Sequence, residues 1–433
     1  MKISVATVFP DFYNNFLETS LIKRAQDNNF VQFDVAGFSS FCEPKERIDA
    51  PTVGHGVGMT IRPEVVERIV CAQEQKNGKA FKIFLTPQGK KLDQRLAQEL
   101  AKKFQEHDHV MLFAARYEGI DARAQETYAD MEVSIGDYIL MGGDLPVMVL
   151  LESVLRYIPG VVGQKESVEK DSFSGAFLDF PTYTTPPRQW QGRDIPEILL
   201  SGNHAKMQEY RDNEAARKTV KEHFEWARSH CIKQAEREKI AQHIPAHYVA
   251  LLHHDVIVGQ GKGESGTSSV TSLDIHDIAR SSRTYGIKHY FIATPLEDQK
   301  KIVQKMLQFW ADAGVDYNKN RSEAVELVSV IDSLDTIIQE IEKKEGKSPL
   351  VVGTSARQMG NAELISYYDQ EKVWHHDRPV LLIFGTARGI SEAVLSKCDY
   401  LLMPLEGFSK FNHLSVRSAV AIILDRWMGI NLR

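Results

Sequence analysis

Cysteine is scarce in this chain, long apolar runs are missing, and neither sign of charge dominates. The four cysteines, Cys42, Cys71, Cys231 and Cys398, are scattered without C-x-x-C spacing. That argues against a zinc site or a disulfide framework and suits a reducing compartment, the cytoplasm. No run approaches the roughly 18 apolar residues of a membrane span, so no membrane partner is expected. The start, MKISVATVFPDF, lacks the basic region, long apolar core and cleavage site of a leader, and reads as a first strand. With 52 basic and 58 acidic residues the net charge is −6, so nothing global announces a nucleic-acid partner. DNA is not expected, and any RNA contact has to come from local patches.

What is present is enough apolar material for two cores: 433 residues, 43% of them hydrophobic. Short apolar runs alternate with amphipathic segments. ISVATVF, FKIFLTP, HVMLFAA and MEVSIG are strand-like, while residues 12–27, 62–75, 93–105 and 145–158 have helical spacing. The alternation predicts an α/β fold with a parallel sheet covered by helices. From 161 to 195 the pattern breaks into a polar, Pro- and Gly-containing stretch, of a length that is more often functional than incidental. Residues 196–245 then read as a helical extension rich in Glu, Lys, Arg and Ala. Pro245 marks a boundary, after which 246–433 repeats the alternation, with HYVALLHHDVIV, KHYFIATP, LVSVI, LVVGTSA, VLLIFG and YLLMP as strands and helices near 297–313, 333–345 and 414–428. The expected organisation is therefore 1–160, 161–195, 196–245 and 246–433. The Gly/Ser-rich stretch GQGKGESGTSS reads as a flexible loop rather than a phosphate clamp.

Two stretches carry chemistry. SIGDYILMGGDLP at 134–146 and LLIFGTARGISEAVLSKCDYLLMPLEGFSKFNHLSVRSAVAIILDR at 381–426 both place a Gly-containing turn after an apolar run, which opens backbone N–H groups to a bound cofactor. The second closely resembles the SPOUT class of S-adenosylmethionine-dependent RNA methyltransferases, through its Asn412-x-Leu414-Ser415 run entering a helix with Val416 and Arg417. The first resembles one SPOUT family more tightly, the bacterial tRNA (guanine-N1)-methyltransferase family, TrmD. The matching pieces are Thr86-Pro87-Gln88-Gly89, Arg116-Tyr117-Glu118-Gly119-Ile120-Asp121, Ser134-Ile135-Gly136-Asp137-Tyr138, Gly142-Gly143-Asp144-Leu145-Pro146, Arg156-Tyr157-Ile158-Pro159-Gly160, Asp171-Ser172-Phe173 and Leu200-Ser201-Gly202-Asn203-His204.

This resemblance implies two SPOUT-type domains with C-terminal trefoil knots, the first followed by a tRNA-binding helical extension. The implied activity is methylation of N1 of the guanosine 3′ of the anticodon. Guanine N1 carries a proton, so methyl transfer needs a base near N1 and positive charge near O6. The resemblance puts the base at Asp171 and the charge at Arg156. Taken singly these would read as a solvated loop carboxylate and a surface ion-pair partner. It assigns the donor site to Thr86, Pro87, Gly89, Ala115, Arg116, Tyr117, Glu118, Gly119, Ser134, Ile135, Gly136, Tyr138, Leu140, Gly142, Gly143 and Pro146. Glu118 matches the carboxylate linked to the family's Mg²⁺ requirement, against an even alternative of a salt bridge to a nearby Arg. In that family the active site is completed across a subunit interface, so a homodimer with tRNA as substrate is implied. Ala115 stands where the family has Gly, and the loops Val53–Met59 and Tyr183–Pro186 have drifted from its pattern.

Residues 247–433 resemble a less characterised SPOUT-like RNA methyltransferase domain, through Asp274–Arg280, Ser282–Gly286, Gly353–Arg357, Phe384–Gly389 and Leu405–Gly407. The resemblance places a second cofactor site at Gly353, Gly385, Gly389, Leu405, Gly407, Asn412 and Leu414. Arg280, Arg283, Arg357, Arg388 and Arg417 are candidates to face RNA phosphate. Three readings of this domain stay open: a methyltransferase of unknown acceptor, a ribose 2′-O-methyltransferase, or a non-catalytic RNA-binding or assembly module.

Overall fold

Five strands in the first third of the chain and seven in its second half build two all-parallel sheets. The computed structural model describes residues 1–54, 56–163, 171–259, 264–312, 319–356 and 362–432. Its contacts divide the chain into two units, Met1–Ser174 and Gly175–Arg433.

In the first unit, β1 (Lys2–Thr7), β2 (Gln32–Gly37), the hairpin β3 (Asp49–Pro51) and β4 (Met59–Ile61), β5 (Phe81–Lys91), β6 (His109–Ala114) and β7 (Met131–Ser134) follow in chain order. The main sheet runs β2-β1-β6-β5-β7. Strand alternation sends Ile3, Val5, Ile83, Val110 and Leu112 to one apolar core, and Ala6, Phe84, Met111 and Phe113 to another. Helices Gln94–Glu106 and Asp144–Leu155 cover the first face, and Pro63–Asn77 the second. Strand β5 bends round its neighbour, so that Leu85 and Lys90 both lie opposite Val133. Gly89 sits at that crossing, where a Cβ would come within 2.5 Å of the Glu132 carbonyl carbon.

The second unit has a seven-stranded parallel sheet in the order Val328–Ile331, His289–Ala293, His247–Leu252, Val380–Gly385, Leu350–Gly353, Tyr400–Leu402, Glu363–Ile365. Setting aside the two edge strands, the remaining five follow the chain order second, first, fourth, third, fifth. This is the order of the first sheet. The run HYVALLHHDVIV, expected as one strand, divides into His247–Leu252 and the hairpin arm Val256–Ile257, with Asp255 at φ +58 turning the chain. That arm pairs with Ser265–Gly266, so the Gly/Ser-rich stretch is a hairpin tip whose residues 260–263 lie outside the described residues.

The helical extension became three helices, His204–Glu222, Phe224–His230 and Gln234–Ala241. Their apolar faces lie in one core with the C-terminal sheet, joining Ala216, Val220, Phe224, Ala227 and Ile240 to Val249, Leu251, Trp374 and Trp427. The packing boundary therefore falls between Ser174 and Gly175, well upstream of the boundary read at Pro245. A proline marks where a helix stops, but which core that helix joins depends on its buried face. Behind the central strand, His247 Nε2 accepts from the indole N–H groups of Trp374 (3.2 Å) and Trp427 (3.0 Å), and its Nδ1 bonds to Pro245 O at 2.7 Å.

Candidate active site

The site in the first unit begins with the turn leaving β6. Tyr117 and Gly119 have φ +60 and +107, and the Gly119 N–H closes on Arg116 O at 3.1 Å. The β3–β4 hairpin braces this turn: Glu118 N–H donates to Met59 O (2.9 Å) and Ile61 N–H to Gly119 O (2.9 Å). Arg116 is locked by a buried carboxylate, since Asp144 is 1% exposed and accepts from its Nε at 3.0 Å. Thr7 Oγ1 and Tyr13 OH also donate to Asp144, at 2.5 and 3.2 Å. Burial first, and the Asp144 charge second, push the Tyr13 phenol well above its usual range, so it stays a donor. The Asp144–Leu155 helix enters through Gly143, whose N–H donates to Ala115 O at 2.6 Å. A Cβ there would lie 2.7 Å from the Ala115 nitrogen, so only glycine permits this approach.

Around these loops opens a cavity of about 670 Å³, within the size range of small-molecule sites. All residues expected at the donor site line it except Gly89, which serves the strand crossing instead. Sequence reasoning missed Gln125, Glu126, Glu132 and Ile139, which also line it. The first two lie in the helix Ala122–Tyr128, one turn beyond Gly119, and that spacing was the available signal. Phe84, Leu85, Ile135 and Leu140 give it apolar walls beside the backbone of the glycine turns. Glu118 is exposed at the rim, where a Cβ on Gly58 would come within 2.7 Å of its Oε1. Among the described residues no group of three or more His, Cys, Asp or Glu side chains is placed to hold a metal ion. Glu118 is a lone carboxylate at this rim.

Arg156 caps the far end of the same helix, and its Nη2 donates to Asp171 Oδ2. The two residues given separate roles form one partly exposed ion pair, with side chains 38% and 32% exposed. Neither lines the cavity.

The second unit repeats the scaffold with different side chains. The turn leaving Val380–Gly385 has Ala387 at φ +52 and Gly389 at φ +109, with Gly389 N–H donating to Thr386 O at 3.0 Å. A hairpin again braces it: Arg388 N–H donates to Ile257 O (3.1 Å) and Ile257 N–H to Gly389 O (2.9 Å). Gly389 thus matches Gly119, Gly385 matches Ala115, and Arg388 takes the place of Glu118. In the closing helices, Val147, Leu150, Leu151 and Val154 are buried at the same spacing as Val420, Ile423, Leu424 and Trp427. In that register Arg417 takes the place of Asp144, and Gly429 that of Arg156.

Of the residues expected at the second cofactor site, Asn412 joins the last loop to the loop after Gly353, its Nδ2 donating to Ala356 O at 3.0 Å. Gly385 is pressed against the turn it opens, a Cβ meeting Ile390 N at 2.6 Å. Gly353 faces inward, against Leu401 and Cys398, and serves packing. Gly407 borders open space, Leu405 packs against the core edge and Leu414 is half exposed. Of the arginines, Arg280 and Arg283 are exposed, and Arg388 donates to Gly259 O at 3.0 Å. Arg417 faces Asp274 and Asp277 at 4.0 and 3.7 Å, so its charge is met within the protein; Arg357 lies outside the described residues.

Comparison with known proteins divides the chain further downstream than its packing does, between residues 229 and 246. Residues 1–229 match the family profile described as tRNA (Guanine-1)-methyltransferase TrmD, and 246–429 that described as SAM-dependent RNA methyltransferase. The tRNA (guanine-N(1)-)-methyltransferase of Nitratidesulfovibrio vulgaris is 34% identical over 436 residues, covering 99% of each chain. That of Oleidesulfovibrio alaskensis is 34% identical over 439 residues with the same coverage. The Bacillus subtilis protein of that name is shorter, 37% identical over 244 residues that make up 98% of it and 56% of this chain. With full-length relatives on both sides of the fusion, the chain belongs to the tRNA (guanine-N1)-methyltransferase family.

Proposed function

We propose that this chain transfers a methyl group from S-adenosylmethionine to N1 of the guanosine 3′ of the anticodon in tRNA. The observation that carries this reading is the direct pairing of Arg156 with Asp171, in a chain whose cavity is lined by the donor-site motifs. The donor, held by the loops after β5, β6 and β7, supplies an electrophilic methyl group. Asp171, paired with Arg156, takes the N1 proton, and the guanidinium faces the charge that gathers on O6. Arg116 is engaged by Asp144 and holds the turn in shape.

Geometry favours a homodimer. Pro146 borders the cavity and Arg156 ends the same helix, roughly 15 Å further along its axis. That is too far for Arg156 and Asp171 to reach a methyl group held in their own chain's cavity. A second copy presenting its Arg156–Asp171 pair would complete the site. Leu145 and Val149 on that helix, 50% and 46% exposed, and Met141 before it, 93% exposed, offer an apolar face to such a partner. The doubling of β5 round Val133 is in keeping with a threaded, knotted closing segment. For Mg²⁺ the support is Glu118 alone. The second domain we read as a further donor-binding methyltransferase of unknown acceptor, since its turn repeats that of the first and Asn412 ties its last loop to the loop after Gly353, without an Arg156–Asp171 pair.

Labelled methyl transfer to tRNA transcripts with nuclease mapping is the test. Label should appear at the guanosine 3′ of the anticodon and vanish when adenosine replaces it. Label elsewhere would sink the assignment. Mixing Asp171→Asn chains with Gly143→Val chains should restore part of the activity if sites are shared between copies, and restore none if each chain acts alone.

A further inference from the structure

The segment leaving the Asp171 loop is fastened to the second unit. Asp171 O accepts from Ser174 N–H at 3.1 Å, making a turn that runs directly into Gly175. Gly175 O accepts from Trp226 Nε1 at 3.0 Å. Three residues on, Leu178 N–H donates to Thr219 Oγ1 at 2.9 Å, and that hydroxyl donates in turn to Ala215 O at 2.7 Å. Ala176 is buried in one core with Ala216, Val220 and the second domain's Trp374 and Trp427. The helices bearing Thr219 and Trp226 are themselves held there. Arg228, 6% exposed, donates to the carbonyls of Asp425 (2.9 Å), Arg426 (2.6 Å) and Gly429 (2.7 Å), capping the last helix of the chain. The Phe224 ring meets Trp374 edge-on, with centroids 4.5 Å apart. By sequence these helices fall within the first family profile, which ends at residue 229; by packing they belong to the second domain.

We propose that the second domain has a role separate from any methyl transfer of its own: it anchors the downstream end of the Asp171 loop, with Thr219 and Trp226 as positioning residues for the first reaction. This rests on the reading of Asp171 as the base. A loop carboxylate must sit within hydrogen-bond reach of the proton it takes, and small displacements of such a group are costly to rate while leaving donor binding untouched. Anchoring at Gly175 and Leu178 removes freedom from the loop where it re-enters a packed core.

The test uses the full chain. Thr219→Val and Trp226→Phe each remove one anchoring hydrogen bond while keeping most of the bulk. Expected are a fall in kcat of roughly tenfold or more, a donor KM unchanged within about twofold, and faster amide exchange across residues 171–178. Thr219→Ser, which keeps the hydroxyl, should restore both rate and protection. Wild-type kcat in folded variants whose 171–178 amides exchange faster would overturn the proposal, as would unchanged exchange. If Thr219→Val does not fold, Trp226→Phe on the half-buried side chain carries the same decision. Asp171→Asn keeps the two readings apart: if it is active, the base assignment has failed, whereas an inactive Asp171→Asn beside a fully active Thr219→Val defeats the anchor alone.

Discussion

The two parallel sheets of this chain use the same five-strand order and the same hairpin-braced turn, yet the polar residues at matching positions differ. At the rim, Glu118 in one is Arg388 in the other; at the start of the closing helix, Asp144 is Arg417; at its end, Arg156 is Gly429. Backbone geometry is retained because strand pairing and the positive-φ turn need only small or glycine residues at a few positions. The side chains above that scaffold are free to reverse sign. Fold alone therefore does not transfer the first domain's reaction to the second.

The comparison can be broken most sharply at Asp171. Asp171→Asn should lower single-turnover methylation of tRNA by roughly 10²–10⁴-fold while donor affinity stays unchanged, since Asp171 does not line the cavity. Near-normal rates would remove the base from the mechanism. Next in size is donor binding. Calorimetry on the intact chain should resolve two donor sites, with Gly143→Val deleting one and Gly385→Val the other, because each valine would enter backbone of its own loop system. A folded wild-type chain with a single site would end the likeness between the domains.

Acid should separate the two units. Burial pulls His247 from 6.5 down to about 4, and burial likewise brings His253 and His289 to about 4. The unfolded chain takes up these protons below about pH 6.5 and the folded chain only near pH 4. Stability is thus fully present above that upper value and is lost as pH falls between the two, by roughly 3 kcal/mol for His247 alone. The five tryptophans, at 190, 226, 310, 374 and 427, all lie in the second unit, so their fluorescence reports its unfolding directly. A tryptophan melt whose midpoint does not move between pH 7 and 4.5 would contradict this.

Smaller effects sharpen the rim. Glu118→Gln should slow transfer several-fold and flatten its dependence on Mg²⁺, whereas a rate indifferent to chelator in the wild type would take Glu118 out of metal binding. Ala115→Gly, which gives the first turn the residue found at Gly385, should change donor affinity by less than about 1 kcal/mol, read by the same calorimetry.

Much of this was legible in residue order. Strands with strong apolar runs, such as His109–Ala114 and Val380–Gly385, were evident because both faces of a parallel sheet are buried. Gln32–Gly37 and Glu363–Ile365 were not, since edge strands are only half buried and carry polar residues. The helix Ser272–Thr284 was read as a motif rather than an element, its Asp274 and Arg283 masking the buried Ile275, Ile278 and Ala279.

The donor-loop residues could be named from sequence because each loop follows directly from a strand, and local order carries that information. Sequence determined which residues stand at the strand ends, the family, and the absence of any metal-binding cysteine pattern. Tertiary structure decided that Gly89 serves a crossing rather than the cavity, and that Arg156 and Asp171 meet. It also decided that helices 204–241 bury their faces in the C-terminal core. Each of these depends on contacts between segments far apart in the chain, where burial and backbone approach, and not local spacing, choose the partner.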